Sequence, residues 1–530
     1  MRGCRILLIM MKTNAQTSPT EPTIESLQAQ IEELKAKIKW YEEQFRLSQQ
    51  KRFGSSSEKT NDDQMVLPLF NEAEQLTDPT VPEPTHETIT YRRKKKRGQR
   101  EAFLNSLPTE TIEYRLSDTE QACSCCGHTL HEMSVEIRKE LAIIPAKVKV
   151  VEHKRFVYAC RHCEQHGVET PIVTAPMPPS VFPKSLASPS IMAHIITQKY
   201  VEGLPLYRQE KYFERLGITL SRQTIANWVL YSAEKWLSVL YHHMHQTLLK
   251  QPILHADETT LQVLRESGRD ATSKSYMWLY RTGNVGPPIV LYDYQPTRKG
   301  EHAKTFLDTF TGYLQVDGYS GYHKVPNVTL VGCWAHARRK FDEALKAAPP
   351  SAKGKRTVSA EGLQFCNQLY AIERTIKEAS PEERYKIRLE KSKPILDLFL
   401  AWLQTKKTHV APKSKLGEAI AYCLNQWEFL KNFLLDGRLE IDNNRSERAI
   451  KPFVIGRKNW LFSNTPRGAK GSAIVYSIVE TAKANGLNPY EYLHYLFQKL
   501  PTMDLTDDEV IQTVLPWSPS LPDHCRVQTK

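Results

Sequence analysis

The sequence predicts a multidomain α/β protein, and three observations carry that expectation. The chain has 530 residues, room for three to four domains at roughly 150 residues each. Its apolar pattern changes character along the chain, from a heptad seam through short strand-like runs to long stretches of helical period. Four of the ten cysteines sit in two C-x-x-C pairs and the others lack framework spacing, which suits a metal site in a reducing compartment, the cytoplasm, and not a disulfide scaffold. Lys and Arg number 72 against 59 Asp and Glu, a net charge of +13 and a pI near 9.1, which favours a polyanionic partner, nucleic acid first. The longest apolar run near the start, Ile6 to Met11, has six residues. A bilayer span needs ~20, so no membrane partner is expected. Arg2 and Arg5 ahead of that run imitate a signal peptide, but the apolar core is too short, and the segment reads as a non-targeting leader ahead of candidate starts at Met10 and Met11.

Residues 22–50 carry apolar side chains at Ile24, Leu27, Ile31, Leu34, Ile38, Tyr41 and Phe45, alternating steps of three and four. This is a leucine-zipper-like seam of about three heptads, with β-branched residues and Leu arranged as in parallel dimers. One amphipathic helix packed on its own chain is the competing reading. Residues 51–104 hold Pro68, Pro79, Pro82 and Pro84 among polar residues and predict a flexible basic linker. Within it Arg92, Arg93, Lys94, Lys95, Lys96 and Arg97 form a cationic block that either attracts DNA phosphates without reading sequence or is simply solvated.

Residues 105–180 predict a zinc-binding domain. Cys123, Cys126, Cys160 and Cys163 form two knuckles whose thiolates can close tetrahedrally round one Zn²⁺. Cys125, His128, His131 and His162 are spare potential ligands, and four ordinary buried thiols are the alternative. Alternation at Val148, Val150, Phe156 and Tyr158 predicts a β-hairpin filling the 33 residues between the knuckles. Residues 185–250 turn helical. Ser221 should cap a helix carrying Arg222, Gln223 and Asn227 after a short turn at Gly217, as in a helix-turn-helix reader of DNA; a plain helical hairpin is equally compatible.

From residue 251 to 341 the run Ile253 to Ala256 ends on Asp257, two runs at 276–281 and 288–294 read as a hairpin, a helix passes Lys304, Phe306, Leu307 and Phe310, and the strand Tyr313 to Val316 ends on Asp317. Strand, hairpin, helix, strand, with acids closing the first and last strands, is the layout of a ribonuclease H-like core. Adjacent strand ends would let Asp257 and Asp317 share divalent ions for phosphoryl transfer. A third strand, 328–331, leads into Gly332-Cys333-Trp334-Ala335-His336-Ala337-Arg338-Arg339, where His336, Arg338 and Arg339 can meet phosphates or lie as a solvated basic face.

Those motifs, with Asp257-Glu258-Thr259, Asp317-Gly318-Tyr319, Arg52-Phe53-Gly54-Ser55-Ser56-Ser57-Glu58 and Asp442-Asn443-Asn444-Arg445-Ser446-Glu447-Arg448, closely resemble the large transposase of the IS66 family of bacterial insertion sequences, over nearly the whole chain. The resemblance implies a DDE transposase with an Asp257, Asp317, Glu447 triad that holds Mg²⁺ or Mn²⁺, acts on the ends of an insertion sequence and on target DNA in the bacterial nucleoid, and works with accessory proteins encoded alongside. It makes 342–438 a helical insertion, 439–486 the last part of the core with the third carboxylate, and 487–530 a C-terminal element. The third acid stands 130 positions after the second, and Glu440, Asp442 and Glu480 compete with Glu447 for that role. A short helix capped by Asp442 or Asn443 and ending near Ile450, before Pro452, would present Glu447 beside Arg445 and Arg448, cations suited to a phosphodiester. Joining paired DNA ends needs a homodimer or higher oligomer, which the seam would supply. A zinc-containing DNA-binding regulator and a hydrolytic nuclease of the same fold are the rival functions.

Overall fold

The computed structural model describes positions of one helix between Gln28 and Phe45, then residues 148–159, 172–348 and 357–527. The cations at 92–97 and the cysteines Cys123, Cys126, Cys160 and Cys163 lie outside the described residues. The chain divides into two compact units, residues 1–66 with 155–530, and residues 67–154. Of the second unit, residues 148–154 are described, and they belong to no helix or strand.

In the first unit the early helix carries the apolar seam in the open. Ile31, Leu34 and Ile38 are 50%, 56% and 57% exposed, and Tyr41 and Phe45 are exposed beside them. Further on, β1 (Val157–Ala159) pairs antiparallel with β2 (Ile172–Thr174). The two strands bracket Cys160 and Cys163 in sequence. The expected hairpin between the knuckles is therefore corrected: among the described residues Val148 and Val150 join no ladder, and Tyr158 pairs across the second knuckle with Val173.

Four helical elements follow, α1 (Pro189–Tyr200), α2 (Leu206–Arg215), α3 (Arg222–Tyr231) and α4 (Ser238–Leu249), the last two joined through a π-helical turn at Ser232–Leu237. Ser221 Oγ accepts the Thr224 N–H at 3.2 Å, the capping bond its sequence position called for. Ile225, Trp228 and Val229 of α3 are buried, while Arg222, Gln223 and Asn227 face solvent.

A five-stranded sheet comes next, built from β3 (Ile253–Gln262), β4 (Lys274–Thr282), β5 (Val290–Gln295), β6 (Gly312–Gln315) and β7 (Val328–Val331). Its order is β5-β4-β3-β6-β7. β3, β4 and β5 form an antiparallel meander. β6 and β7 run parallel to β3, because each is reached by a crossover. The first crossover carries α5 (Gly300–Phe306), which stops earlier than the apolar spacing suggested: Leu307 and Phe310 are buried but stand in the turn beyond it.

The remaining helices are α6 (Trp334–Lys346), α7 (Val358–Thr375), α8 (Pro381–Ile387), α9 (Lys393–Lys407), α10 (Lys415–Asn425), α11 (Asn444–Trp460), α12 (Pro466–Ala484) and α13 (Pro489–Lys499). Helices α7, α9 and α10 share a core of their own with α6, in which Trp334 and Phe341 meet Phe399, Leu403 and Ile420, joined to the sheet by Ile253 and Val331. Helix α12 lies along β5 and satisfies its outer edge. Ser477 Oγ and Thr481 Oγ1 accept the N–H groups of Tyr292 and Val290 at 2.8 and 3.0 Å, so the edge offers no free template there.

Helix α11 overturns one expectation. It does not end near Ile450 but runs through Pro452 to Trp460. Pro452 removes one backbone bond, but Ala449, Ile450 and Phe453 are buried against the sheet and hold the helix together across the gap.

Candidate active site

Register decides what the strands bring together. β3 and β6 pair as Ile253 with Tyr313, Leu254 with Leu314 and His255 with Gln315; β6 and β7 pair Gln315 with Val331. Two residues further along each strand stand Asp257, Asp317 and Cys333, one row just past the end of the parallel pairing of β3, β6 and β7. Asp257 is not a strand end, as the sequence suggested. β3 continues to Gln262 because its antiparallel partner β4 extends that far. Asp257 sits where the parallel pairing stops, and side chains two apart on a strand share a face, so the two acids look the same way.

Asp317 opens a tight turn. The Tyr319 N–H donates to Asp317 Oδ1 at 3.0 Å, and Gly318 between them has φ +98°, a region a Cβ would strain. Burial pushes the Asp257 carboxyl well above the ordinary carboxylate range, with Glu258, Asp317 and Glu447 adding like charge. That sum places the three candidate acids in one electrostatic cluster. Glu258, next along β3, points away from Asp257. Its side chain is almost fully buried and pinned by the Arg298 guanidinium and by the Tyr322 hydroxyl at 2.6 Å. Arg298 in turn stacks over Tyr319 at 4.0 Å. Nothing in the sequence marked this clamp, since its members are 40 and 64 residues apart from Glu258.

The third acid is delivered by α11, whose start is locked to the sheet by Asn443. Its side chain does not cap the helix. Asn443 Nδ2 donates to the Ala256 carbonyl at 2.8 Å, Oδ1 accepts from His255 Nδ1 at 2.9 Å, and its backbone N–H donates to Cys333 Sγ at 3.2 Å. Asp442 takes the turn role instead, accepting the Asn444 N–H at 3.1 Å and the Tyr370 hydroxyl at 3.0 Å. One turn into α11, Glu447 faces the first turn of α6. Its Oε1 lies 3.9 Å from His336 Nδ1 and its Oε2 lies 3.6 Å from Arg339, not beside Arg448 or Lys451.

The competing acids are otherwise engaged. Glu440 pairs with Arg445 at 2.5 Å, Glu480 with Lys483 at 2.9 Å on α12, and Asp442 with Tyr370 and Asn444. Of the expected phosphate contacts, His336 and Arg339 stand at the acid cluster, whereas Arg338 donates to Asn367 at 2.9 Å and Arg445 is turned to Glu440. Arg448 is exposed. Arg222, Gln223 and Asn227 belong to a separate exposed face on α3.

The donor set suits a divalent ion. Burial and the like charge of Glu258, Asp317 and Glu447 raise the Asp257 carboxyl, and Glu447 Oε1 is buried without a hydrogen-bond partner. Both features fit a site in which a cation supplies the missing charge.

Comparison with known proteins gives the same chain-wide picture. The family profile described as "Transposase IS66 family" matches residues 184–471, that of the "zinc-finger binding domain of transposase IS66" residues 120–164, "Transposase C of IS166 homeodomain" residues 40–112, and "IS66 C-terminal element" residues 477–517. Similar proteins from Sinorhizobium fredii include the uncharacterised y4jD, 33% identical over 80% of this chain and 84% of its own length, and y4hP, 30% identical over 80% and 77%.

Proposed function

The chain belongs to the IS66 family of transposases, and on that premise we propose that it cleaves and joins insertion-sequence DNA as a DDE enzyme whose triad is Asp257, Asp317 and Glu447. The observation that carries the reading is the shared row of Asp257 and Asp317 on parallel strands with Glu447 brought over it by α11. Sheet order and strand polarity support a ribonuclease H-like core interrupted by the helices between α6 and α11.

In this reading the three carboxylates hold Mg²⁺ or Mn²⁺. Such ions, when bound, activate the attacking oxygen and stabilise the leaving one in an in-line displacement at phosphorus. The chain's own groups do the rest. The Glu258–Arg298–Tyr322 clamp fixes the strand behind Asp257, Asn443 fixes the register of α11, and Arg339 offers a cation to the phosphates flanking the scissile bond.

Exposed Arg222, Gln223 and Asn227 on α3 are proposed to contact DNA, with Arg338, Arg445 and Arg448 nearer the acids and the 92–97 block adding contacts that carry no sequence information. The zinc-finger match at 120–164 encloses Cys123, Cys126, Cys160 and Cys163 and supports one structural Zn²⁺. The open seam at Ile31, Leu34 and Ile38 supports self-association, since a stripe of that kind on a helix seeks a partner. No described helix is long and apolar enough to cross a membrane. The bacterial nucleoid is the expected place of action, with accessory proteins encoded alongside.

The test is incubation of the full chain with Mg²⁺ and DNA bearing the element's own ends. Joined strand-transfer products support the reading. Binding without any cleavage favours the regulator, and cleavage without joining favours the nuclease.

A further inference from the structure

Cys333, the third member of the strand-end row, was not singled out by sequence spacing, and its neighbours make it more than a buried thiol. Cys333 Sγ, one His336 ring nitrogen and one Glu447 carboxylate oxygen all lie within 4.8 Å of one another. A tetrahedral site with bonds of about 2.0–2.3 Å has donor separations of roughly 3.3–3.7 Å. Rotation of His336 and Glu447, each on a first helical turn, can close that difference. His336 Nδ1 and Glu447 Oε1 are both buried and have no hydrogen-bond partner, although they face each other at 3.9 Å. Two facing buried polar atoms without hydrogen-bond partners leave room for a bridging atom.

The backbone around the sulfur points the same way. Cys333 Sγ accepts the backbone N–H of Asn443 at 3.2 Å. A donor of this kind stabilises a thiolate once a metal has displaced its proton to solvent. Cys333 is wholly buried, while His336 and Glu447 remain 24% and 27% exposed, so the corner has a closed sulfur side and an entry from solvent.

We infer that Cys333, His336 and Glu447 form a site for one transition-metal ion of the Zn²⁺ or Co²⁺ class, sharing Glu447 with the carboxylate cluster. A sulfur, nitrogen and oxygen donor set selects such ions over Mg²⁺, which takes oxygen ligands and keeps its waters. The inference rests on these three residues and not on strand transfer, which is tested separately through Asp257 and Asp317.

The experiment uses the full chain loaded with a single equivalent of Zn²⁺, which the four-thiolate module takes first and which Co²⁺ does not displace from it. Co²⁺ is then titrated and the near-ultraviolet thiolate-to-cobalt absorption recorded. The expected result is one Co²⁺ per chain with that absorption, persisting in excess Mg²⁺. Cys333→Ser should abolish the absorption, and His336→Gln should weaken Co²⁺ binding about tenfold or more. Absence of Co²⁺ uptake, absorption unchanged in Cys333→Ser, or undiminished affinity in His336→Gln would each overturn the site. Co²⁺ binding with no loss of joining in Asp257→Asn would leave the site standing and remove the DDE reading.

Discussion

Replacing Asn443 by Ala should damage stability and catalysis together. Asn443 is 1% exposed, and its side chain makes two bonds to strand β3, nearly 190 residues earlier in the chain. Removing it leaves the His255 Nδ1–H and the Ala256 carbonyl buried without partners. Each unsatisfied group costs about 1–3 kcal/mol, so the expected loss is roughly 2–5 kcal/mol, with a small cavity term inside that range. Helix capping contributes nothing to the figure, because this side chain does not cap α11. The assay is denaturant unfolding of the full chain followed by tryptophan fluorescence, which the fully buried Trp278 and Trp334 should report. Lys413→Ala, at an exposed position, serves as control. Because Glu447 stands one turn beyond Asn443, DNA joining should fall even under conditions where the variant is folded. A shift no larger than the control's, under about 0.5 kcal/mol, would refute the claim that Asn443 fastens the helix to the sheet.

Three further outcomes follow from other parts of the chain. Burial raises the Asp293 carboxyl to about 6, so the folded state binds more protons than the unfolded state between the ordinary value of 3.8 and that point, and stability falls as pH rises through this window. Asp293→Asn should therefore stabilise the chain above pH 6 by on the order of 1–2 kcal/mol and change little below pH 4, as read from melting curves; a pH-independent difference would contradict it. Substituting Leu27 and Leu34 with Asp places charge in the proposed helical seam and should abolish self-association in sedimentation, whereas an unchanged species would assign the seam to packing within one chain. Cys123→Ser with Cys126→Ser should remove one Zn²⁺ per chain by elemental analysis, and unchanged zinc content would exclude those ligands.

Local chemistry made part of this architecture legible in advance. Ser221 capped its helix, the two hairpin runs became β4 and β5, and the short apolar run 328–331 became β7 with the same limits. What failed depended on partners distant in sequence. Asp257 lies within β3 because β4 prolongs the strand on one side only. Helix α11 crosses Pro452 because tertiary burial outweighs one lost bond. The hairpin expected between the cysteine pairs rested on alternation alone, and extended segments alternate without pairing. Cys333 was passed over because it lacked a cysteine partner in sequence. A signal was nevertheless present: Asp257, Asp317 and Cys333 each come after a short apolar run, and equivalent positions on parallel strands meet in space.

The central claim is that Glu447, and not another acid near the end of the core, completes the triad. Strand transfer by Glu447→Gln, Glu440→Gln and Glu480→Gln, measured side by side with Mg²⁺ and the element's own DNA ends, tests it most directly. Glu447→Gln keeps the shape of the side chain but removes the charge that Glu447 adds to the field on Asp257. Joining should fall by two or more orders of magnitude, a loss of about 3 kcal/mol or more of transition-state stabilisation, while folding and end binding persist. Glu440→Gln and Glu480→Gln, which lose only ion pairs with Arg445 and Lys483, should retain most activity. Near-normal joining by Glu447→Gln, with either of the others inactive, would contradict the assignment and the placement of α11 that supports it.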